Sequence, residues 1–172
     1  MAKHPIRVFV VDDYEPFRRI VVLTIEQQPE LQTIGEASDG LEAVRKAEEL
    51  QPDLILLDIG LPTLNGIEVA RRIRERSPKS KILFLSENRS LDIIEAALHT
   101  GAGGYVVKSD AGSKLLPAVE AVLQGKQFIS SSLSDHDFCG CKYDDCRIGA
   151  EPSASVGKPC LPHTNWHRDE RS

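Results

Sequence analysis

The stretch DLILLDIGLPTLNGIEVARRIR, residues 53–74, decides how the chain folds. Residues 53–58, DLILLD, predict an apolar strand without polar alternation that ends in an acid. A short run of that kind suits a strand buried on both faces, as in a parallel sheet. The segment GLPTLNG after it carries turn residues and reads as a loop. A helix is expected over 66–76, stopping before Pro78.

The same pattern repeats on both sides. Residues 6–11, IRVFVV, predict a strand that ends at Asp12 and Asp13. Residues 15–28 place Phe17, Ile20, Val21, Leu23, Thr24 and Ile25 at helical spacing before Pro29. LQTIGEA, residues 31–37, predicts a second strand. Asp39-Gly40 opens a helix with Leu41, Ala43, Val44, Ala47 and Leu50 on one face, closed by Pro52. KILFLS (81–86) and GYVVK (104–108) predict strands four and five. Helices over 90–100 and roughly 112–124 follow them, the last ending at Gly125. Strict alternation of strand and helix implies an α/β fold, a parallel sheet covered by helices on both faces. Right-handed crossovers leave few topologies, of which the flavodoxin-like, doubly wound (βα)5 order 2-1-3-4-5 is expected.

Composition bounds the function. The chain has 172 residues, 41% of them hydrophobic, and a net charge of -5. A dedicated nucleic-acid surface calls for a clustered basic excess, which is not seen here. No apolar run is long enough to span a membrane. The N-terminal apolar stretch is too short for a secretion signal, so a cytoplasmic location is expected.

Chemistry-bearing residues fall where strands stop. Asp12 and Asp13 end strand one, Asp58 strand three, Ser86 strand four and Lys108 strand five. In a parallel sheet these ends share one edge, where ligands bind. The order 2-1-3 brings three carboxylates together between neighbouring strands. Their repulsion is relieved by a hard divalent cation, and Mg2+ suits a few carboxylates plus phosphate oxygens. Lys108 adds a positive charge and Ser86 a hydroxyl. Asp58 is thereby surrounded by what phosphoryl transfer requires. Any one of these residues alone reads equally well as a helix cap or an edge residue; the set is what points to function.

In VFVVDD, DLILLDIGLPTLNGIEVARRIR, KILFLS and GAGGYVVKSDA the chain resembles a receiver domain of two-component response regulators over about residues 5–128. The pattern of acceptor Asp, Leu-Pro turn and Gly reads here as Asp58, Leu61-Pro62 and Gly66. The resemblance implies that Asp58 is the phospho-acceptor, with Asp13 binding Mg2+ directly and Asp12 through water. It implies the Gly60 backbone carbonyl as a further metal ligand, and Ser86 and Lys108 on the phosphoryl group. Tyr105 falls at the family's rotating aromatic, expected to swing inward. The partners implied are a sensor histidine kinase or phosphotransfer protein, with a homodimer through the face of helix 4, strand 5 and helix 5. Such domains are regulators, and no enzyme activity beyond self-phosphorylation and self-dephosphorylation is implied. Two positions depart from the family pattern. Ser109 stands where proline often follows the lysine, and Glu87 stands where a small residue often follows the hydroxyl. KSDA resembles the NarL/LuxR-type subfamily, which carries a C-terminal helix-turn-helix domain.

Competing readings are a receiver-like interaction module that is not phosphorylated and an Asp-nucleophile phosphatase. The phosphatase needs a second acid two residues after the nucleophile, and that position is Gly60. The domain is expected to span 1–129, followed by a disordered tail over 130–172. Beyond alanine the tail's aliphatics are Leu133, Ile148, Val156 and Leu161, too few for a three-helix core. No DNA-binding domain and no intrinsic DNA binding are therefore expected. Cys139, Cys141, Cys146 and Cys160, with His136, His163 and His167, are soft ligands, but their spacing matches no paired zinc motif.

Overall fold

The computed structural model describes residues 4–130. The expectations for the tail, its cysteines and histidines included, lie outside the described residues. The elements alternate as β1 (Ile6–Val11), α1 (Glu15–Glu26), β2 (Leu31–Ala37), α2 (Gly40–Leu50), β3 (Leu54–Leu57) and α3 (Gly66–Arg76). They continue as β4 (Lys81–Ser86), α4 (Leu91–Leu98), β5 (Gly104–Val107), a 3-10 turn (Lys108–Asp110), α5 (Ala111–Leu123) and β6 (Phe128–Ile129). The sheet order is β2-β1-β3-β4-β5-β6, and every pairing is parallel. This is the expected flavodoxin-like order with one strand added at the outer edge. The sequence reading missed β6 because two residues after a helix-ending glycine carry no periodicity.

The central strands are apolar on both faces because each face has its own helical cover. Phe9, Val11, Ile55, Leu57, Ile82, Phe84, Tyr105 and Val107 pack with Val44, Val69, Ile73 and Ile94 from α2, α3 and α4. Val8, Val10, Leu54, Leu56, Leu83, Leu85 and Val106 pack with Val21, Ile25, Leu115 and Val119 from α1 and α5. Alternate residues of one strand thus enter opposite layers, the two-residue period of a pleated strand. The burial of Leu54 to Leu57 without exception is the physical content of the apolar run. The helical faces are narrower than their patterns suggested. Ile20, Leu23, Leu41 and Leu91 are exposed, since a helix over a sheet buries one stripe and leaves flanking apolar residues outside.

Local chemistry sets the loop that follows β3. Asn65 caps α3 by accepting from the Glu68 amide at 3.0 Å. The Gly66 amide donates to the Ile59 carbonyl at 2.9 Å. A Cβ built at Gly66 would collide with the Asp58 carbonyl oxygen, so glycine lets helix and loop close against the strand end. Gly66→Ala is expected to lose about 2–3 kcal/mol of stability in urea unfolding, because the colliding atom belongs to buried backbone. Gly112→Ala in α5, where an added Cβ meets nothing within 4 Å, is expected to be neutral or to gain about 0.5 kcal/mol. Equal effects at the two positions would contradict this account of Gly66.

Candidate functional site

Strand register places the acids. Val11 pairs with Leu57, so the residues that follow each of them leave the sheet side by side. The Asp58 amide donates to the Val11 carbonyl at 2.9 Å, and the Asp12 amide to the Ala37 carbonyl at 3.1 Å. Asp12 and Asp58 are buried, whereas Asp13 is exposed. Each of the three offers a carboxylate oxygen within 4.8 Å of the others.

One cation stands among them. Lys108, directly after β5, places Nζ 2.7 Å from Asp12 Oδ2 and 3.0 Å from Asp58 Oδ2. Nζ also lies 4.9 Å from the centroid of the Phe17 ring, on α1. Only the Asp58 contact is aligned as a hydrogen bond. Asp12 Oδ2 is left buried with a close ion-pair partner but no aligned donor. Asp12 Oδ1 accepts from the Tyr14 amide at 2.9 Å. Asp58 Oδ1 accepts from the Ile59 amide at 2.7 Å.

Burial raises the Asp12 pKa above the usual carboxylate value, outweighing the opposing Lys108 ammonium and Tyr14 amide. For Lys108 burial works against the charge, but the Asp12 and Asp58 carboxylates raise its pKa on balance. Three carboxylates against one ammonium, all oxygen donors, with one buried oxygen lacking an aligned donor, fit a hard divalent cation.

The other expected residues occupy a second tier. Ser86 ends β4 and is buried. Its Oγ accepts from the Asn88 amide at 3.2 Å and is engaged there rather than with Asp58. Tyr105 is fully buried, with its hydroxyl donating to the Asn88 carbonyl at 2.8 Å. Its ring is tilted against Phe84 at 6.3 Å between centroids. Burial raises the Tyr105 pKa, with the Ser86 hydroxyl opposing. The sequence reading had Tyr105 swinging inward, and in this conformation it is already inside. Gly60 is exposed, and a Cβ there would lie 3.5 Å from Asp58 Oδ2, so glycine keeps that approach clear. Ser109 lies within the 3-10 turn on a trans peptide, and its Oγ accepts from Arg89 at 2.9 Å. Glu87 is exposed.

Two contributors escaped the sequence reading. Asn88 joins Ser86 to Tyr105 through its backbone, which no side-chain pattern reports. Phe17 was read as a core position of α1, and its contact with Lys108 arises only from the packing of α1 over the strand ends.

A model of the response regulator receiver domain matches residues 8–120. The chain belongs to that family, the receiver domains of two-component response regulators. The transcriptional regulatory protein DegU of Brevibacillus brevis is 35% identical over 127 residues, 74% of this chain and 54% of that protein. The nitrate/nitrite response regulator NarL of Escherichia coli K12 is 33% identical over 132 residues, 77% of this chain and 61% of that protein. The chain thus spans under two thirds of the length of these relatives. Among solved structures, a LuxR-family two-component response regulator from Aurantimonas sp. SI85-9A1 aligns with a TM-score of 0.72 at 33% identity. That alignment covers 76% of this chain and 93% of the other. The receiver domain of the putative response regulator NarL from Mycobacterium tuberculosis aligns with a TM-score of 0.68 at 30% identity, over 72% of this chain and 100% of the other. Among the described residues no helix is long and apolar enough to cross a membrane.

The raised Asp12 pKa has a sign that can be tested. A carboxyl whose pKa is higher folded than unfolded stabilises the fold below the unfolded value, and that contribution is lost as pH rises through the folded value. Ionised Asp12 is therefore a cost at neutral pH. In chelator, Asp12→Asn is expected to raise the urea midpoint at pH 7, with the gain shrinking as pH falls into the carboxylate range. A lowered midpoint at pH 7 would show the Lys108 pair to outweigh burial.

Proposed function

We propose that this chain is a phosphorylation-controlled signalling switch that accepts a phosphoryl group on Asp58. The observation that carries this reading is a buried carboxylate held 3.0 Å from a buried ammonium, beside two further acids at the mouth of a parallel sheet. In the transfer, an oxygen of Asp58 bonds to phosphorus while the bond from phosphorus to the donor's leaving atom breaks. The leaving group departs with the bonding pair and is protonated from solvent, and an acyl phosphate remains on Asp58. The phosphodonor supplies the driving force, so the domain's task is placement and charge neutralisation.

Asp13, Asp58 and the Gly60 carbonyl would hold Mg2+, with Asp12 acting through water, and the ion would neutralise charge on the phosphoryl oxygens. Lys108 orients Asp58 through its hydrogen bond and offers a second positive charge to the incoming group. Ile59 fixes the other carboxylate oxygen. The clear side at Gly60 leaves room for the donor. Ser86 gives up the Asn88 amide and turns its hydroxyl to a phosphoryl oxygen. Asn88 also binds Tyr105, so movement of Ser86 reaches the α4–β5–α5 face. That face is the docking or dimer surface in this reading. The phosphodonor is a sensor histidine kinase, a phosphotransfer protein or a small phosphodonor, and the role is that of a regulator rather than an enzyme.

Intact mass after treatment with phosphoramidate and Mg2+ tests the reading. Wild type is expected to gain the mass of one phosphoryl group, and chelator is expected to abolish the gain. Asp58→Asn is expected to gain nothing. Equal labelling of both proteins would overturn the assignment of Asp58.

A further inference from the structure

The strand that the sequence did not announce is attached to the switch. After α5 the chain turns at Gly125, which has a positive φ of 79°, and runs back alongside β5. Gly104 pairs with Phe128 and Tyr105 with Ile129. The Phe128 amide donates to the Gly103 carbonyl at 3.0 Å, and the Ser130 amide to the Tyr105 carbonyl at 3.0 Å. The next donor along β5, the Val107 amide, is met by a side chain, with Ser130 Oγ accepting it at 3.3 Å. Both partners are fully buried. Ser130 therefore closes the ladder and satisfies the last interior amide before Lys108.

Side chains repeat the attachment. Phe128 packs against the α1–α5 layer, while Ile129 packs against the layer that contains Tyr105. Ile129 and Tyr105 share a register position and a face, so the returning strand packs on the layer that holds the aromatic ring. All of residues 131–172 attach to the domain through this segment.

We infer that β6 with Ser130 is a clasp that reports the state of Asp58 to the chain beyond residue 130, Ser130 acting as a positioning residue for the β5 end. This rests on the reading of Asp58 given above. A phosphoryl group on Asp58 engages Lys108 and draws the Ser86 hydroxyl toward it. Asn88 keeps the hydrogen bond that it already accepts from the Tyr105 hydroxyl, and the β5 end is pinned between the phosphoryl group at Lys108 and Ser130 at Val107. Ile129 packs against a fixed ring and the clasp tightens. Without the phosphoryl group the β5 end is held at the site by the Lys108 ion pairs alone, and the clasp opens more often. By linkage, tension on the chain after residue 130 acts back on Asp58.

Hydrogen exchange of the full chain, read by mass spectrometry over peptides within 124–131, tests the clasp. Intact mass is taken on the same samples. With phosphoramidate and Mg2+, exchange over 128–130 is expected to slow several-fold in wild type and not in Asp58→Asn. Ser130→Ala is expected to exchange about tenfold faster there, the equivalent of one lost hydrogen bond. It should still accept the phosphoryl group, lose it faster and show no slowing. Ser130→Thr, which keeps the hydroxyl, is expected to restore both. Peptides from β1 and β3 check that the alanine variant is folded, and if it is not, wild type against Asp58→Asn decides. A full mass gain with unchanged or faster exchange overturns the clasp and leaves Asp58 as acceptor. No mass gain overturns both.

Discussion

The ammonium of Lys108, wedged between the buried carboxylates of Asp12 and Asp58 at 2.7 and 3.0 Å, is the interaction on which the rest of the site depends. Buried like charges at this spacing repel strongly, and burial alone disfavours each ionised acid. One lysine answers two of them and leaves the third, Asp13, turned to solvent. The site is consequently short of positive charge, a balance that fits a divalent cation. A domain optimised for stability would not gather three carboxylates at one edge of its sheet.

The lysine can stand there because of the sheet. β5 is separated from β1 by two strands, β3 and β4, yet the Lys108 side chain reaches Asp12 at the end of β1. Its stem runs past the Phe17 ring, which gives the ammonium a second electron-rich neighbour. Parallel pairing aligns the carboxyl ends of all the central strands, so residues far apart in sequence arrive at one edge without any dedicated loop. The helices contribute by covering both faces, which keeps the strand ends dry and the charges strong.

Communication away from the site runs through backbone as much as through side chains. Asn88 accepts from the Tyr105 hydroxyl and donates to Ser86, so the loop after β4 couples the strand ends to the interior of the α4–β5–α5 face. β6 extends that coupling to the chain that follows. Both features lie on the side of the sheet farthest from β2, which leaves β2 and α2 as a fixed scaffold.

Much of this was legible in the residues themselves. Apolar runs ending in acids located β1 and β3, and strict alternation gave the parallel order, because a strand buried on both faces has few sequence solutions. Asp12, Asp13, Asp58, Ser86 and Lys108 were each identifiable as the residue at a strand's carboxyl end. The sequence could not say which acid is buried, since Asp12 and Asp13 differ only in the face that the chain presents as it leaves the sheet. It placed Ile20, Leu23 and Leu41 on apolar faces that the helices leave exposed. It was silent on β6, on the role of Asn88 and on the Phe17 contact. Periodicity is a local signal, and it determined which segments are strands and helices. The inward position of Tyr105, the double ion pair of Lys108 and the closing hydrogen bond of Ser130 join residues distant in sequence. Only packing of the whole sheet decides which of those atoms meet.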